Sequence, residues 1–349
     1  TRSSILTGRY VQRLGFQHHN PPVALGGVGA VPLGEKLLPE YMRDAGYAAY
    51  HVGKWHQGMA KDAYLPHNRG FESSFGYYEG AVDYYNHTVG GKAYAWAHGV
   101  LDLHSGAEGG QPTCHPEFKG TYDLDLFAGR AKEVISRHNA SRPFFMYLAL
   151  HSVHDPDECP QKWYDMYEGT TGTDNRRTMC GMVSAMDAAV GDVVAHFHAT
   201  LGDNVVVLFH SDNGGPTYAD AGALNYPLRG GKLTLFDGGM RVVAFAWSPH
   251  IARPGRVEHG LVHITDILPT FAEGLGGSKP LGGKRLDGHN VWATISEGAA
   301  SPRREILHLV DPLGNAEFLD PMGCNISGKR GACQLSAAFR ADEWKLIVG

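Results

Sequence analysis

Residues 204–215, NVVVLFHSDNGG, place a carboxylate and a carboxamide directly after an unbroken apolar run. Asp212 and Asn213 offer two hard oxygen ligands of the kind that Ca²⁺ and Mg²⁺ prefer. An ordinary Asn-Gly turn closing a strand would be the simpler explanation if this segment stood alone. Open α/β sheets, however, bind their ligands at the carboxyl ends of the strands. A metal site is therefore expected here if other polar groups converge on the same edge.

Polar side chains also follow two other apolar segments and end one glycine-rich loop. Lys54 and His56 follow the first segment, His151 and His154 follow the second, and Lys232 ends the loop. Each of these residues also has a non-functional interpretation, because lysines are mostly solvated and most of the 20 histidines must be structural. We keep His151 as structural. The other residues are expected to converge, because parallel strands end at one edge of a sheet.

A group of cations beside a divalent metal suits one class of ligand. Sulfate and phosphate are tetrahedral anions whose oxygens need charge stabilisation while a bond to them breaks. The polar residues at the strand ends therefore predict a pocket for a sulfate or phosphate ester.

The elements that must position these residues follow from hydrophobic periodicity. Strands are predicted at residues 47–52, 144–150, 205–209 and 241–247, and helices at 1–10, 37–45, 127–135, 179–197 and 266–275. This alternation predicts an α/β fold with a large, mostly parallel sheet sandwiched by helices. The aromatic and glycine-rich stretch 70–120 is interpreted as surface loops with short strands, and residues 337–348 as the start of a small C-terminal antiparallel sheet. We expect one domain over residues 1–301 and a second over 302–349.

Composition excludes two classes of partner. The 349 residues are 43% hydrophobic and 19% charged, so a sizeable core is expected. The net charge of -5 gives no bulk attraction to nucleic acid or to an anionic membrane. The longest uninterrupted apolar candidate, residues 144–150, is too short to span a bilayer. We therefore expect neither a nucleic acid nor a membrane partner.

Cysteines and glycosylation signals indicate the compartment. The five cysteines show no zinc spacing; Cys324 and Cys333 flank a polar loop and could pair, and Cys180 is predicted to be a buried free thiol. Three N-x-S/T sequons in loop-like settings favour a secretory-pathway protein, at Asn86, Asn139 and Asn325.

Motifs along nearly the whole chain resemble the sulfatase family, most closely the arylsulfatase B group. The opening TRSSILTGR is similar to the tail of the family motif C-x-P-S/T-R…T-G-R. Six later segments match in type and order: GKWH at 53–56, SVHDP at 152–156, SDNGG at 211–215, PLRGGK at 227–232, DGHNVW at 287–292 and EWKL at 343–346. The resemblance implies the alkaline-phosphatase-like sulfatase fold.

The resemblance also implies a nucleophile and a metal. In sulfatases the motif cysteine is oxidised to formylglycine by the formylglycine-generating enzyme, and the hydrate attacks sulfur. Carried over to this chain, Asp212 and Asn213 would ligate one Ca²⁺ ion, and Arg2 would balance charge at the metal site.

Sulfate binding and proton transfer fall to four further residues by the same resemblance. Lys54 and Lys232 would contact the sulfate oxygens. His154, with Lys232, would protonate the leaving alkoxide, and His56 would take a proton from the second hydroxyl of the hydrate.

The sequence departs from the family pattern in three places. The motif cysteine and an acidic pair of metal ligands are expected upstream of Thr1, so we predict an N-terminally truncated catalytic domain that is inactive as given. Asp237 stands where relatives usually have glutamate, and we attach no functional consequence to it. Residues 86–116 differ from the arylsulfatase B group in length and cysteine placement, which leaves the sugar and the sulfate position open.

The predicted function is that of a sulfuric ester hydrolase acting on sulfated carbohydrates or aryl sulfates in the lysosome or outside the cell. Two alternatives remain at this point. One is a metal-dependent phosphatase or phosphodiesterase of the same superfamily, and the other is a non-catalytic binder of sulfated glycans.

Overall fold

The computed structural model describes residues 1–16, 29–89, 99–170, 172–217, 221–276, 284–311 and 336–348. The chain divides into two compact units. Unit 1 comprises Thr1–Pro21, Asn204–Ala219 and Ala223–Gly349, and unit 2 comprises Pro22–Asp203 and Asp220–Gly222. The division between residues 1–301 and 302–349 expected from the sequence concerns the family's domains and stays a prediction.

Helices and strands alternate through both units. The helices are α1 (Arg2–Thr7), α2 (Leu38–Asp44), α3 (Asp123–Arg137), α4 (Gln161–Asp165), α5 (Asp174–Leu201), α6 (Asp237–Met240), α7 (Ile267–Pro269) and α8 (Trp292–Glu297). The strands are β1 (Ala48–Lys54), β2 (Ser73–Tyr77), β3 (His104–Ala107), β4 (Thr113–Cys114), β5 (Phe144–Ala149), β6 (Val207–His210), β7 (Ala244–Trp247), β8 (Glu305–Asp311), β9 (Ser336–Ala341) and β10 (Trp344–Val348).

Unit 2 is built on a mixed five-stranded sheet of order β4-β3-β2-β1-β5. β1 pairs in parallel with both β2 and β5, whereas β3 and β4 add antiparallel strands at one edge. Gly53 lets β1 and β5 approach closely, because a Cβ at this position would lie 2.0 Å from the carbonyl oxygen of Ala149. β1 and β5 therefore end side by side, as the sequence predicts for the segments that carry Lys54 and His154.

Helices α3 and α5 cover this sheet with apolar side chains. Phe127 and Ile135 of α3 and Met182 of α5 are almost completely buried. By length and composition α5 could also cross a membrane. This is a weak indication, because the core helix of a soluble domain meets the same criterion, and α5 packs on α3.

The aromatic stretch after residue 70 corrects one sequence-based expectation. It was expected to form surface loops with short strands. The short strands are present as β2, β3 and β4, but β2 is an internal strand of the sheet, and Tyr77 and Tyr84 are among the largest fully buried side chains. Tyr84 stacks on His151 with ring centroids 4.1 Å apart. This segment lacks the regular alternation of apolar and polar residues that indicates a strand, because its aromatic residues are buried by packing against other rings.

The strand that precedes Asp212 also differs from its prediction. Residues 205–209 were expected to be buried on both faces of a parallel sheet. Instead β6 pairs antiparallel with β7 in a two-stranded sheet, and all four of its residues are only partly buried. An apolar run indicates burial in general, but it specifies neither the direction of the partner strand nor the number of neighbours.

Unit 1 contains a buried ion pair. The guanidinium of Arg303 donates to both carboxylate oxygens of Asp266, and its Nη1 donates to the hydroxyl of Tyr10 at 3.0 Å. The side chains of Arg303 and Asp266 are almost fully buried. The same unit contains the antiparallel sheet β10-β9-β8, which confirms the predicted C-terminal sheet.

Close to this ion pair, a neutral histidine should make unit 1 sensitive to acid. The Nδ1 of His263 accepts the backbone N–H of Thr265, and burial, followed by repulsion from Arg303, lowers the pKa of His263 to about 3. The unfolded chain binds this proton near the ordinary pKa of 6.5. The contribution of neutral His263 to stability is therefore fully present above that pH and is lost as the pH falls toward 3.

We predict that His263→Gln flattens the pH dependence of the unfolding free energy below pH 6.5. The slope should decrease by up to about 1.4 kcal/mol per pH unit, the contribution of one proton. Urea unfolding between pH 6.5 and 5 measures it, and the exposed His259, changed to Gln, is the matched control. An unchanged slope in His263→Gln would show that this histidine binds a proton equally in the folded and unfolded chain.

Candidate functional site

In unit 1, the residues after β6 form an ion pair with the start of the chain. Nη1 of Arg2 lies 3.0 Å from Oδ2 of Asp212, and the hydroxyl of Thr1 donates to the backbone oxygen of Asp212 at 2.6 Å. The Arg2 side chain is 12% exposed and that of Asp212 is 36% exposed. The carboxylate is thus held by a largely buried cation while one side of it faces solvent.

Asp212 and Asn213 fit a Ca²⁺ site in kind and fall short of one in number. The amide nitrogen of Asn213 donates to the backbone oxygen of Gly214 at 2.8 Å, which leaves Oδ1 as the atom available to a cation. A carboxylate and an amide oxygen are suitable ligands, but Ca²⁺ takes about six to eight oxygens. Among the described residues, no group of three or more His, Cys, Asp or Glu side chains is placed to hold a metal.

The PLRGGK loop packs directly against the residues that follow Asp212. The side chain of Asn225 joins the two segments: its Oδ1 accepts the Gly215 N–H at 2.9 Å, and its Nδ2 donates to the backbone oxygens of Gly215 and Gly230. The Lys232 N–H also donates to the Gly215 oxygen, at 3.0 Å. The backbone that carries Lys232 is therefore fixed relative to the backbone that carries Asp212 and Asn213.

Helix α6 is hydrogen-bonded to the PLRGGK loop. The Gly238 N–H donates to the oxygen of Arg229 at 2.7 Å. Asp237, the first residue of α6, accepts from Lys345 at 2.8 Å and from Arg340 at 3.4 Å, both of which belong to the C-terminal sheet. Burial alone would raise the pKa of Asp237, but Lys345 and Arg340 outweigh burial and lower it. The residue that departs from the family pattern is thus the anchor between α6 and the C-terminal sheet.

In unit 2, Lys54 and His56 occupy the carboxyl end of β1. Lys54 is the last residue of the strand, is 5% exposed, and donates from Nζ to the backbone oxygen of Gly80. His56 has a left-handed backbone with a φ of 51°, which is uncommon outside glycine, and its N–H donates to the Tyr78 oxygen at 3.1 Å. Strained backbone of this kind concentrates at functional sites, which supports His56 as a candidate.

The two histidines after β5 have different settings. His154 is partly exposed, and its Nδ1 lies 2.8 Å from the backbone oxygen of Asp155. His151 is fully buried, with Nδ1 2.7 Å from Oδ2 of Asp123. Burial raises the pKa of Asp123 well above its ordinary value. The accessible histidine is the one predicted for proton transfer, and the buried one is the one interpreted as structural.

Within each unit, the structure brings together residues that the sequence separates widely. Unit 1 joins Arg2 to Asp212 across 210 residues, and unit 2 places Lys54 at the end of β1 and His154 after the adjacent parallel strand β5. Motif reading did not identify Asn225, whose only sequence signal is that it precedes the loop by two residues. It also missed His210, the last residue of β6, whose pKa is lowered by burial and, to a smaller extent, by Arg2.

With this geometry established, comparison with known proteins gives a consistent result. Residues 1–277 match the protein family described as Sulfatase. Arylsulfatase J of Mus musculus is 32% identical over 351 residues, an alignment that covers 100% of this chain and 56% of that protein. N-acetylgalactosamine-6-sulfatase of Homo sapiens is 30% identical over 325 residues, covering 87% of this chain and 57% of that protein. The chain thus spans little more than half the length of these curated relatives.

Solved structures show the same similarity. Ps i-CgsB, determined in complex with k-i-k-neocarrahexaose, is 26% identical, with a TM-score of 0.79 over 99% of this chain and 72% of that chain. PsFucS1 sulfatase from Pseudoalteromonas sp. has a TM-score of 0.78 at 21% identity, covering 99% of this chain and 67% of that chain, which shows the fold alone. The predicted alkaline-phosphatase-like fold is confirmed, whereas these similarities do not single out the arylsulfatase B group.

We predict that Lys345→Met loosens the support of the candidate site, because it removes the closer cation of Asp237. The unfolding free energy should fall by about 2 kcal/mol, the typical contribution of a hydrogen bond to a charged group. Backbone amide exchange should accelerate at residues 211–215 and 227–240, measured by hydrogen–deuterium exchange with mass spectrometry.

Two variants control this experiment. Lys345→Arg keeps the charge and should restore slow exchange, and Trp344→Ala changes the neighbouring residue, which is 82% exposed. If exchange accelerates equally in all three variants, or only within β9 and β10, then Asp237 does not connect the C-terminal sheet to the loop.

Proposed function

Because the chain belongs to the sulfatase family, we propose that the protein to which it belongs hydrolyses sulfate monoesters of sugars. The observation that carries this proposal is the Arg2–Asp212 ion pair beside Asn213 and the clamped PLRGGK loop. That arrangement joins a carboxylate, an arginine and a lysine-bearing loop through an ion pair and hydrogen bonds between three segments of unit 1. Sulfate ester chemistry needs these three features together.

Two groups that the family implies would complete the site. Asp212 and Asn213 would hold Ca²⁺, and the nucleophile would be a formylglycine made by the formylglycine-generating enzyme from a cysteine upstream of Thr1. When bound, the metal supplies charge stabilisation to the sulfate oxygens. Arg2 limits the excess negative charge that Asp212 brings to this position.

The remaining candidate residues hold the substrate and move protons. We assign Lys54 and Lys232 to the sulfate oxygens, where an ammonium acts as a compact point charge. His154, assisted by Lys232, would donate a proton to the leaving alkoxide. His56 would accept a proton from the second hydroxyl of the formylglycine hydrate, so that sulfate departs.

A sulfated carbohydrate is the substrate class that the relatives favour. One similar protein is named for a sulfated amino sugar, and one similar structure holds a carrageenan oligosaccharide. Specificity for the 4-sulfate of N-acetylgalactosamine, as in the arylsulfatase B group, is the narrower form of the proposal. Aryl sulfates are suitable as reporter substrates, because their leaving groups need little help from an acid.

We predict that the chain, extended by its upstream segment and co-expressed with the formylglycine-generating enzyme, hydrolyses 4-nitrocatechol sulfate. It should act on 4-nitrophenyl phosphate far more slowly. Lys232→Ala should lower kcat/KM by about 100-fold or more, the cost of losing one preorganised charge contact. Lys61→Ala, at an exposed lysine, should have no effect.

Each alternative has its own outcome in this experiment. Faster turnover of the phosphate ester would indicate a phosphatase or phosphodiesterase. Binding of sulfated glycan without turnover of either ester would indicate a non-catalytic binder. Full activity of Lys232→Ala would show that Lys232 does not contact sulfate, and unfolding of the variant in a thermal melt would show that Lys232 is structural.

We also propose that the protein enters the secretory pathway and resides in the lysosome or outside the cell. The sequon residues Asn86 and Asn139 are both exposed, and Asn325 lies outside the described residues. In the second sequon, Oδ1 of Asn139 accepts the Ser141 N–H at 3.0 Å and its backbone oxygen accepts the Arg142 N–H at 3.0 Å, so the residue begins an exposed, hydrogen-bonded turn.

Expression in a eukaryotic secretory host should therefore attach N-linked glycan at Asn139. Treatment with peptide N-glycosidase should lower the mass, and Asn139→Gln should remove that part of the shift. Secretion of a chain whose Asn139 peptide carries no glycan would contradict the assignment of this sequon.

A further inference from the structure

A hairpin in unit 2 brings a cysteine and a histidine face to face. β3 and β4 are antiparallel, and their register pairs His104 directly with Cys114. Opposed residues of an antiparallel pair carry their side chains on the same face of the sheet. Accordingly, Sγ of Cys114 lies 3.3 Å from Nδ1 of His104. None of the residues assigned to sulfate ester chemistry takes part in this contact.

The other ring nitrogen of His104 is oriented by a carboxylate. Nε2 of His104 lies 3.1 Å from Oδ1 of Asp102, which is 3% exposed. The Asp102 oxygens also accept the backbone N–H groups of Tyr78 and Glu79, at 2.9 and 2.8 Å. Because the carboxylate has no proton to donate, it favours the tautomer with the proton on Nε2, and in that tautomer Nδ1 presents its lone pair to the thiol.

The surroundings of His104 keep its ring in place. The Tyr78 ring stacks on the imidazole, with centroids 4.4 Å apart and planes 6° from parallel. Tyr78 is buried, and its hydroxyl has no hydrogen-bond partner among the residues that the structure describes. Burial, then Asp102 and Cys114, raise the pKa of Tyr78, so the phenol stays protonated.

The arrangement has the three parts of an activated nucleophile. A thiol contacts a base, and the base is oriented by a third group, the geometry that lowers the barrier to nucleophilic attack. Cys114 is exposed, so a reagent can reach it from solvent. Exposure alone would make the thiol accessible, whereas the His104 contact supplies a place for its proton.

We propose that Cys114 is a modification site that undergoes thiol–disulfide exchange with low-molecular-weight disulfides such as oxidised glutathione. The thiol proton passes to Nδ1 of His104, and the thiolate attacks one sulfur of the disulfide. A new bond forms between Sγ and that sulfur as the original disulfide bond breaks. The expelled thiolate takes the proton back from His104, so the products are a mixed disulfide on Cys114 and one free thiol.

The other described cysteines provide internal references. Sγ of Cys159 donates to the Pro160 oxygen at 3.4 Å, and burial raises the pKa of Cys159 to about 11. Cys180 lies within α5 and is partly buried. The possible pair Cys324 and Cys333 lies outside the described residues. Cys114 is therefore expected to react first among the three described thiols.

The test is residue-resolved kinetics on the intact chain. The reduced protein is mixed with oxidised glutathione, quenched with acid at intervals, digested, and analysed by mass spectrometry for the adduct on each cysteine peptide. At pH 7 the Cys114 adduct should form about tenfold faster in the wild type than in His104→Gln, since general-base assistance is lost. His115→Gln, which changes the adjacent histidine of the hairpin, should react like the wild type.

The pH dependence of the reaction rate distinguishes general-base assistance by His104 from simple solvent accessibility of the Cys114 thiol. Without a base, the rate should fall about tenfold per pH unit between pH 8 and 6, as for an unassisted thiol. The wild type should fall less steeply, and His104→Gln should show the full slope. If His104→Gln does not fold, the wild-type slope decides alone. Equal rates in the two proteins, a full slope in the wild type, or a faster adduct on Cys159 or Cys180 would overturn the proposal.

Discussion

The candidate site depends on a contact between two stretches of main chain that leaves no room for a side chain. The Gly214 N–H donates to the Gly239 oxygen at 3.0 Å, and a Cβ on Gly214 would lie 1.6 Å from the Gly238 oxygen. The segment after β6 and the start of α6 are consequently locked together. Backbone hydrogen bonds of the flanking residues Ser211 and Gly214 thus hold Asp212 and Asn213 in position.

Charge pairing is the second constraint on unit 1. Arg2, Lys345 and Arg303 each face a carboxylate, although the chain as a whole carries a net charge of -5. A buried or half-buried charge is tolerated only when it is paired, so each pair fixes the position of a backbone segment. The Asp237 pair connects α6 to the C-terminal sheet, and the glycine contact carries that connection to Asp212. A change within the last strands can therefore reach the site without touching it.

The sequence predicted what is local or repeated, and it failed where partners are distant. Helical periodicity located α3 and α5 because each helix buries one continuous stripe. The candidate site residues were selected because such chemistry would restrict their type and spacing, and their roles stay predictions. The partner of β6 was not predictable, since strand pairing is set by the register of the whole sheet. Asn225 was missed for a related reason. A single amide side chain that joins two loops produces no hydrophobic periodicity in the sequence.

Strand register also explains why sequence motifs do not predict the pairing of Cys114 with His104. Asp102 and His104 stand two residues apart, the spacing that places side chains on one face of an extended segment, so half of the arrangement is visible in the sequence. Cys114 joins them only because the turn between β3 and β4 has its particular length. A slip of one residue would turn the thiol to the opposite face and separate it from the imidazole. The reactivity of this thiol is therefore a property of the hairpin turn as much as of the three side chains.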